Sequence, residues 1–319
     1  MELDALTKRI LEKVTPKQEE RARVDALSRK LEQKIISACK SEGVNATVRV
    51  EGSVAKDTWL SGNPDIDVFM RLPVSIPRKE LGEVGLRIAK KAAGESEQLE
   101  RFAEHPYLEI FVEGLRVDIV PCYDTKPGEW QSATDRTPYH TDYIKAHLDK
   151  KLNGEVRLLK QFMNGIGVYG AEIKIGGFSG YLCELLIMHY GSFRETIEAF
   201  AGYSRRIVID IGEFYAERER DLELLFPEPL VIVDAVDKGR NVASAVQSSK
   251  LYEFIGAARQ FQKKPLEEFF YPPRIHAASP LIVESHRDGR GSSHLYVVIG
   301  ELIAVPDVLW GQLYRSKRS

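Results

Sequence analysis

The spacing of apolar residues changes character twice along this chain. Val24, Leu27, Leu31, Ile35 and Cys39 recur three or four positions apart, which predicts one stripe of a long amphipathic helix. Thr15-Pro16 followed by Gln18 reads as the N-cap and capping box of that helix. The period then falls to two. "NATVRVEGS" and "DIDVFMRL" read as strands and 79–93 as a helix, while "YLEIFVEGLRVDIVPCY" reads as a hairpin turning at Glu113-Gly114. Together these predict a small mixed sheet with helices.

From about Asp142 the helical period returns. Val156, Leu159, Phe162 and Met163 make one apolar face, and "FSGYLCELLIMHY" is apolar almost all round, so it should be buried. Gly191 ends that helix, and Ser192 with Glu195 forms a capping box for "FRETIEAF". The charges of "ERERDLELL" read as a solvated face, "LVIVDAV" as a strand, and "SSKLYEFIGAARQF" as another helix. A proline-containing stretch over 263–280 reads as a linker into a third unit. That unit shows one strand, "HLYVVIGEL", and the start of a helix in "VPDVLWGQLYRSKRS", too little periodic apolar sequence to bury a core alone. The expectation is an α+β chain divided at 1–141, 142–262 and 263–319, the last unit incomplete. Neither an internal repeat nor a low-complexity tract is visible.

Composition narrows the function classes. The 319 residues are 43% hydrophobic and 29% charged, as in ordinary soluble proteins, and no apolar run approaches bilayer length, so a cytoplasmic protein is expected. Cys39, Cys122 and Cys183 are odd in number and far apart, which fits reduced core thiols better than disulfides or zinc. A net charge of −2 argues against a globally basic nucleic-acid binder but leaves a locally positive groove open. Oligomeric state is not legible, a homodimer being one option.

The chemistry concentrates in three aspartates. Asp65 and Asp67 flank Ile66 and share one face of a strand whose other face, Ile66, Val68 and Met70, is apolar. Like charges so close need a cation between them or a retained proton. Asp118 projects in the same way from "LRVDIVPCY", although by itself it reads equally as a partner of Arg116. Three hard oxygen ligands on strands suit magnesium, and two such ions can clamp both oxygens of an in-line displacement. Gly52-Ser53, with Lys56 following, is the other half: a strand-end glycine lets the backbone approach an anion, while a hydroxyl and a charge complete the cradle. The combination points to a nucleoside triphosphate with metal.

"GSVAKDTWLSGNPDIDVF" resembles the signature of polymerase-β-type nucleotidyltransferases. With "AEHPY", "VDIVPCY", "DRTPYH", "EVRLLKQF", "GGFSGYLCELLI" and "VDKGRNVA", the chain resembles archaeal (class I) CCA-adding enzymes over about 1–308. The resemblance implies a nucleotidyltransferase head domain, a mainly helical central domain, and a partial C-terminal α/β body cut off soon after Trp310. It implies Asp65, Asp67 and Asp118 as metal ligands, the third also helping to deprotonate the attacking tRNA 3′ hydroxyl. Ser53, Lys56, His140, Lys160 and Tyr169 fall on triphosphate contacts, Arg240 on a reader of the base edge, and Glu104 and His105 on a turn of the nucleotide pocket. Lys56 departs from an arginine common in the family, keeping the charge but not the bidentate fork. Taken singly, His140 is a loop histidine, Lys160 a solvated helical lysine, Tyr169 a packing residue and Arg240 a surface charge.

The reaction expected is template-independent addition of CCA to the tRNA 3′ end from CTP and ATP, with two Mg2+ ions and release of pyrophosphate. One rival is a poly(A) or oligoadenylate-type transferase, separable by CTP incorporation before ATP. Another is a tRNA-binding fragment with weak or no turnover, against which the retained acid cluster argues.

Overall fold

The computed structural model describes residues 2–62, 64–102, 104–204, 206–273 and 310, so the strand and helix expected after 280 lie outside the described residues. The first elements are α1 (Glu2–Val14), α2 (Gln18–Ser41), β1 (Thr47–Glu51), α3 (Gly52–Ala55), β2 (Asp65–Leu72) and α4 (Arg78–Ala93). β3 (Glu97–Phe102), β4 (Pro106–Val112), β5 (Leu115–Tyr123) and α5 (Thr137–His147) follow. The second half holds α6 (Asn153–Gly165), α7 (Gly180–Tyr190), α8 (Phe193–Ala201), β6 (Ile207–Ile209), α9 (Glu219–Leu225), β7 (Leu230–Asp234), β8 (Asp237–Asn241) and α10 (Ser248–Lys263).

The first sheet runs β1-β2-β5-β4-β3, with β2 and β5 parallel and the other pairs antiparallel. Period-two alternation decides its faces. Ile66, Val68, Met70, Val117 and Ile119 are fully buried against the stripe Val24, Leu27, Leu31 and Ile35 of α2 and against Leu81 and Ile88 of α4. The opposite face carries Asp65, Asp67 and Asp118 at one end and a small buried apolar cluster, Phe69, Val120 and Cys122, at the other. Hairpin and helices fall as the pattern predicts, but β3 escapes it, because this edge strand is exposed at nearly every position and has no buried face to leave a period.

The second core wraps α6, α7, α8 and α10 around Phe162, which packs against Phe193, Phe254, Phe261 and Phe270 at 5.2–6.2 Å between ring centroids. A phenylalanine so placed contributes about 3–5 kcal/mol relative to alanine, and its neighbour Lys160 is held by the same helix. Gly191, at φ +91°, closes α7 in the left-handed conformation, and Ser192 caps α8 by accepting from the Glu195 N–H.

Several expectations need revision. No side chain caps α2: its N-cap is Lys17, and the Thr15 hydroxyl donates instead to the Leu11 carbonyl at 2.6 Å, because α1 runs into this turn. The apolar stripe of α1, Leu6, Ile10 and Val14, is buried in the second core, so chain order does not assign this helix to the first. The strand expected in "LVIVDAV" is β7, and it gains two partners not expected, β6 and β8, in a small sheet within the mainly helical unit. The stretch read as a linker from 263 returns to the same core through Phe270. All three cysteines are buried and free. None of the described helices is long and apolar enough to cross a membrane.

Candidate active site

The parallel register of β2 and β5 places Asp67 beside Asp118 and Asp65 beside Arg116. Following the register outward, Glu51 of β1 faces Asp67, and Glu109 of β4 faces Asp118. Four carboxylates therefore cross four neighbouring strands in one row: Glu51, Asp67, Asp118 and Glu109. Only the middle two are among the acids the alternation pattern singled out.

Arginines balance this row unevenly. Glu51 takes Arg49 at 2.6 Å. Glu109, almost fully buried, takes Arg101 at 2.8 Å on one oxygen and Arg116 at 3.2 Å on the other. Arg116 also reaches Asp118 at 2.8 Å and Asp65 at 3.7 Å, so the pairing that Asp118 allowed on sequence is present. Among the described residues, no ion pair or side-chain hydrogen bond reaches Asp67. Burial, then the neighbouring Asp118 and Asp65, push its carboxyl up to about 7. Burial also raises Asp65 and Asp118, against the pull of Arg116.

Gly52 is forced by this packing. Its φ is +67°, and a Cβ there would stand 2.0 Å from Asp67 Oδ2, so the anion its bare backbone approaches is the site's own carboxylate. The donor set is all hard oxygen, and an unpaired aspartate beside two others fits a divalent cation. Among the described residues the acids are not drawn into a ready group of three metal ligands, and Arg116 is bound to them.

A cavity of about 590 Å³ opens on this face. Ser53, Asp65, Glu109 and Arg116 line it from the sheet side, and Lys160, Asn164, Tyr169 and Glu172 line it from the second unit. Lys160 is wholly buried, which lowers its pKa, and donates to the Thr58 carbonyl at 3.0 Å and hydroxyl at 3.1 Å. Its Nζ lies 3.5 Å from Glu184, and Lys56 lies 2.5 Å from the other oxygen of that carboxylate. One buried glutamate thus serves two lysines, one from each unit. Burial pushes Glu184 up, but the lysines outweigh it and hold its pKa low.

A second hub continues the chain of groups. Lys56 stands 5.7 Å from the Tyr181 ring, on which His140 stacks at 4.0 Å. Asp234, wholly buried, accepts from Arg240 at 2.7 Å and from Tyr181 at 3.2 Å, and hydrogen-bonds His140 at 2.9 Å. Burial lowers the His140 pKa despite this partner.

Of the expected nucleotide contacts, Ser53, Lys160 and Tyr169 line the cavity. Lys56, His140 and Arg240 are not part of its lining but join it through Glu184, Tyr181 and Asp234. Glu104 and His105 are elsewhere: Glu104 pairs with Arg78 and accepts from the Ala133 N–H, and His105 hydrogen-bonds Thr134 at 3.0 Å. Sequence reasoning missed Glu184, Asp234 and Glu109. Each is a lone acid inside an apolar run, "YLCELLIM", "LVIVDAV" and "YLEIFV", and that is the signal that could have found them.

A family model of nucleotidyltransferase domains matches residues 32–140, and one described as the second domain of tRNA nucleotidyltransferases matches 154–271. A CCA-adding enzyme from Methanosarcina acetivorans is 41% identical over 313 residues, covering 97% of this chain and 67% of that protein. One from Halobacterium salinarum is 39% identical over 314 residues, covering 98% and 68%. Among solved structures, a cytoplasmic RNA terminal U-transferase superposes with a TM-score of 0.65 at 13% identity, over 86% of this chain and 99% of that one, a likeness of fold alone.

Proposed function

The chain belongs to the CCA-adding enzymes, nucleotidyltransferases that extend tRNA without a nucleic-acid template, and from that premise we propose how its own side chains do so. The observation that carries the reading is the Asp65, Asp67 and Asp118 cluster on one sheet face, of which Asp65 lines a cavity whose other wall bears Lys160 and Tyr169. Nucleotides and a divalent metal serve this family's reaction. We read the metal as two magnesium ions held by Asp65, Asp67 and Asp118, and the nucleotides as CTP and ATP. Such ions, if held by these carboxylates, would supply positive charge to the reacting oxygens.

The residues divide the remaining work. Asp118 accepts the proton of the tRNA 3′ hydroxyl on a carboxylate oxygen. Ser53 donates its hydroxyl to the triphosphate, Lys160 and Lys56 supply charge, and Tyr169 donates from the cavity wall. His140 serves as a neutral donor, since its pKa is lowered. Arg240, held by Asp234, offers planar donors to the base edge. Glu104 and His105 act by holding the β3–β4 turn against 133–134.

The test is one incubation of tRNA lacking its CCA with labelled CTP, ATP and magnesium. Two cytidines followed by one adenosine are expected. Adenylation that ignores CTP would establish a poly(A)-type transferase instead, and tRNA binding without incorporation would establish a binding fragment.

A further inference from the structure

Of the charged groups at the acid row with no task in the transfer just described, Arg116 and Glu109 lie against the proposed metal ligands. Arg116 makes ion pairs with Asp118, Glu109 and Asp65 at once, at 2.8, 3.2 and 3.7 Å. Glu109 lines the cavity, yet its side chain is only 4% exposed and both its oxygens are already spent, one on Arg101 and one on Arg116. A guanidinium held against Asp118 uses lone pairs that an incoming cation also needs, and the two positive charges repel. Arg116 is therefore a competitor for any ion entering here. Its retreat is short. Glu109 and Asp118 are register partners on adjacent strands, and Arg116 is two residues from Asp118 on the same face, so its fork can keep Glu109 while releasing the aspartates.

We propose that Arg116 is the resident counter-cation of the acid row, surrendering Asp118 and Asp65 to the divalent ion and withdrawing onto Glu109, its buried anchor. The two are positioning residues that set metal affinity, Arg116 against binding and Glu109 in favour of it. This rests on the reading of Asp65, Asp67 and Asp118 as metal ligands.

The test is titration of the whole protein with Mn2+ and no nucleotide, following free ion by electron paramagnetic resonance. Arg116→Gln should tighten binding roughly tenfold, and Glu109→Gln should weaken it roughly threefold, because the released guanidinium then leans on the aspartates. The double variant should bind like Arg116→Gln alone. Arg116→Lys, which keeps the charge and loses the fork, should fall between wild type and Arg116→Gln, and remains informative if Glu109→Gln fails to fold. Weaker or unchanged binding by Arg116→Gln overturns the proposal, as does a shift of both variants in the same direction. Asp67→Asn separates the two levels. If it abolishes Mn2+ binding while Arg116→Gln changes nothing, this inference alone falls; if it binds as wild type, the ligand assignment falls with it.

Discussion

Asp67 and Asp234 are both shielded aspartates on strands, and they titrate in opposite directions. Asp67 is pushed up to about 7 by burial and by two neighbouring carboxylates. Asp234 is also pushed up by burial, but the His140 hydrogen bond and charge, the Val236 N–H and Arg240 outweigh it and bring it to about 2. Partners decide the sign, since burial acts the same way on both. The head sheet thus carries an acid in need of positive charge, whereas the hub in the second unit has spent its acid on orienting His140 and Arg240. A site waiting for a cation and a finished scaffold are distinguishable by this difference.

The largest effect expected is on the waiting side. Asp118→Asn should lower transfer roughly 10³-fold or more with CTP and ATP alike, while the thermal midpoint is kept. Selective loss of one nucleotide would remove Asp118 from any shared role. Metal-free urea unfolding at pH 8 should then split the two regions. Asp234→Asn leaves Arg240 and His140 without their buried acceptor and should cost about 3 kcal/mol. Asp67→Asn removes an unpaired charge, and its stability should equal or exceed wild type; equal losses in both variants would break the comparison.

The pH dependence sharpens it. Asp67 has a folded value above the ordinary one, so its ionisation costs stability as pH rises from about 4 through 7, and the advantage of Asp67→Asn should grow over that window. Asp234 has a folded value below the ordinary one. Its stabilisation is present above about pH 4 and lost as pH falls toward 2, so the deficit of Asp234→Asn should shrink there. Urea midpoints of wild type and variants across pH 2–8 check both signs. The smallest effect concerns Arg240→Lys, which keeps a charge for Asp234 and loses the planar fork. It should change the CTP-to-ATP ratio of kcat/KM about three- to tenfold with stability almost unaltered.

Much of the acid face was legible because it is local. Asp65 and Asp67 are separated by one buried residue, and "LRVDIVPCY" shows the same alternation around Asp118. Glu109 sits in an equally clear pattern and was passed over, because an acid gains meaning only when its register partner is known. On the cation side Lys56 follows from its place after Gly52-Ser53, whereas Lys160 was legible only by resemblance. Lys160, read alone as a solvated lysine, is wholly buried, since the helix face it occupies is covered by the head domain's Thr58.

Short-range periodicity by itself determined β1, β2, β4, β5 and β7, the helices α2, α4, α6, α7 and α10, and the shared face of Asp65 and Asp67, because side-chain direction repeats every two residues in a strand and every three or four in a helix. Tertiary structure alone decided that Glu51 and Glu109 extend the acid row, that α1 belongs to the second core, and that Lys56 and Lys160 share Glu184. Those pairings join residues up to 128 positions apart, and no local period encodes a distance that only the closing of two cores creates.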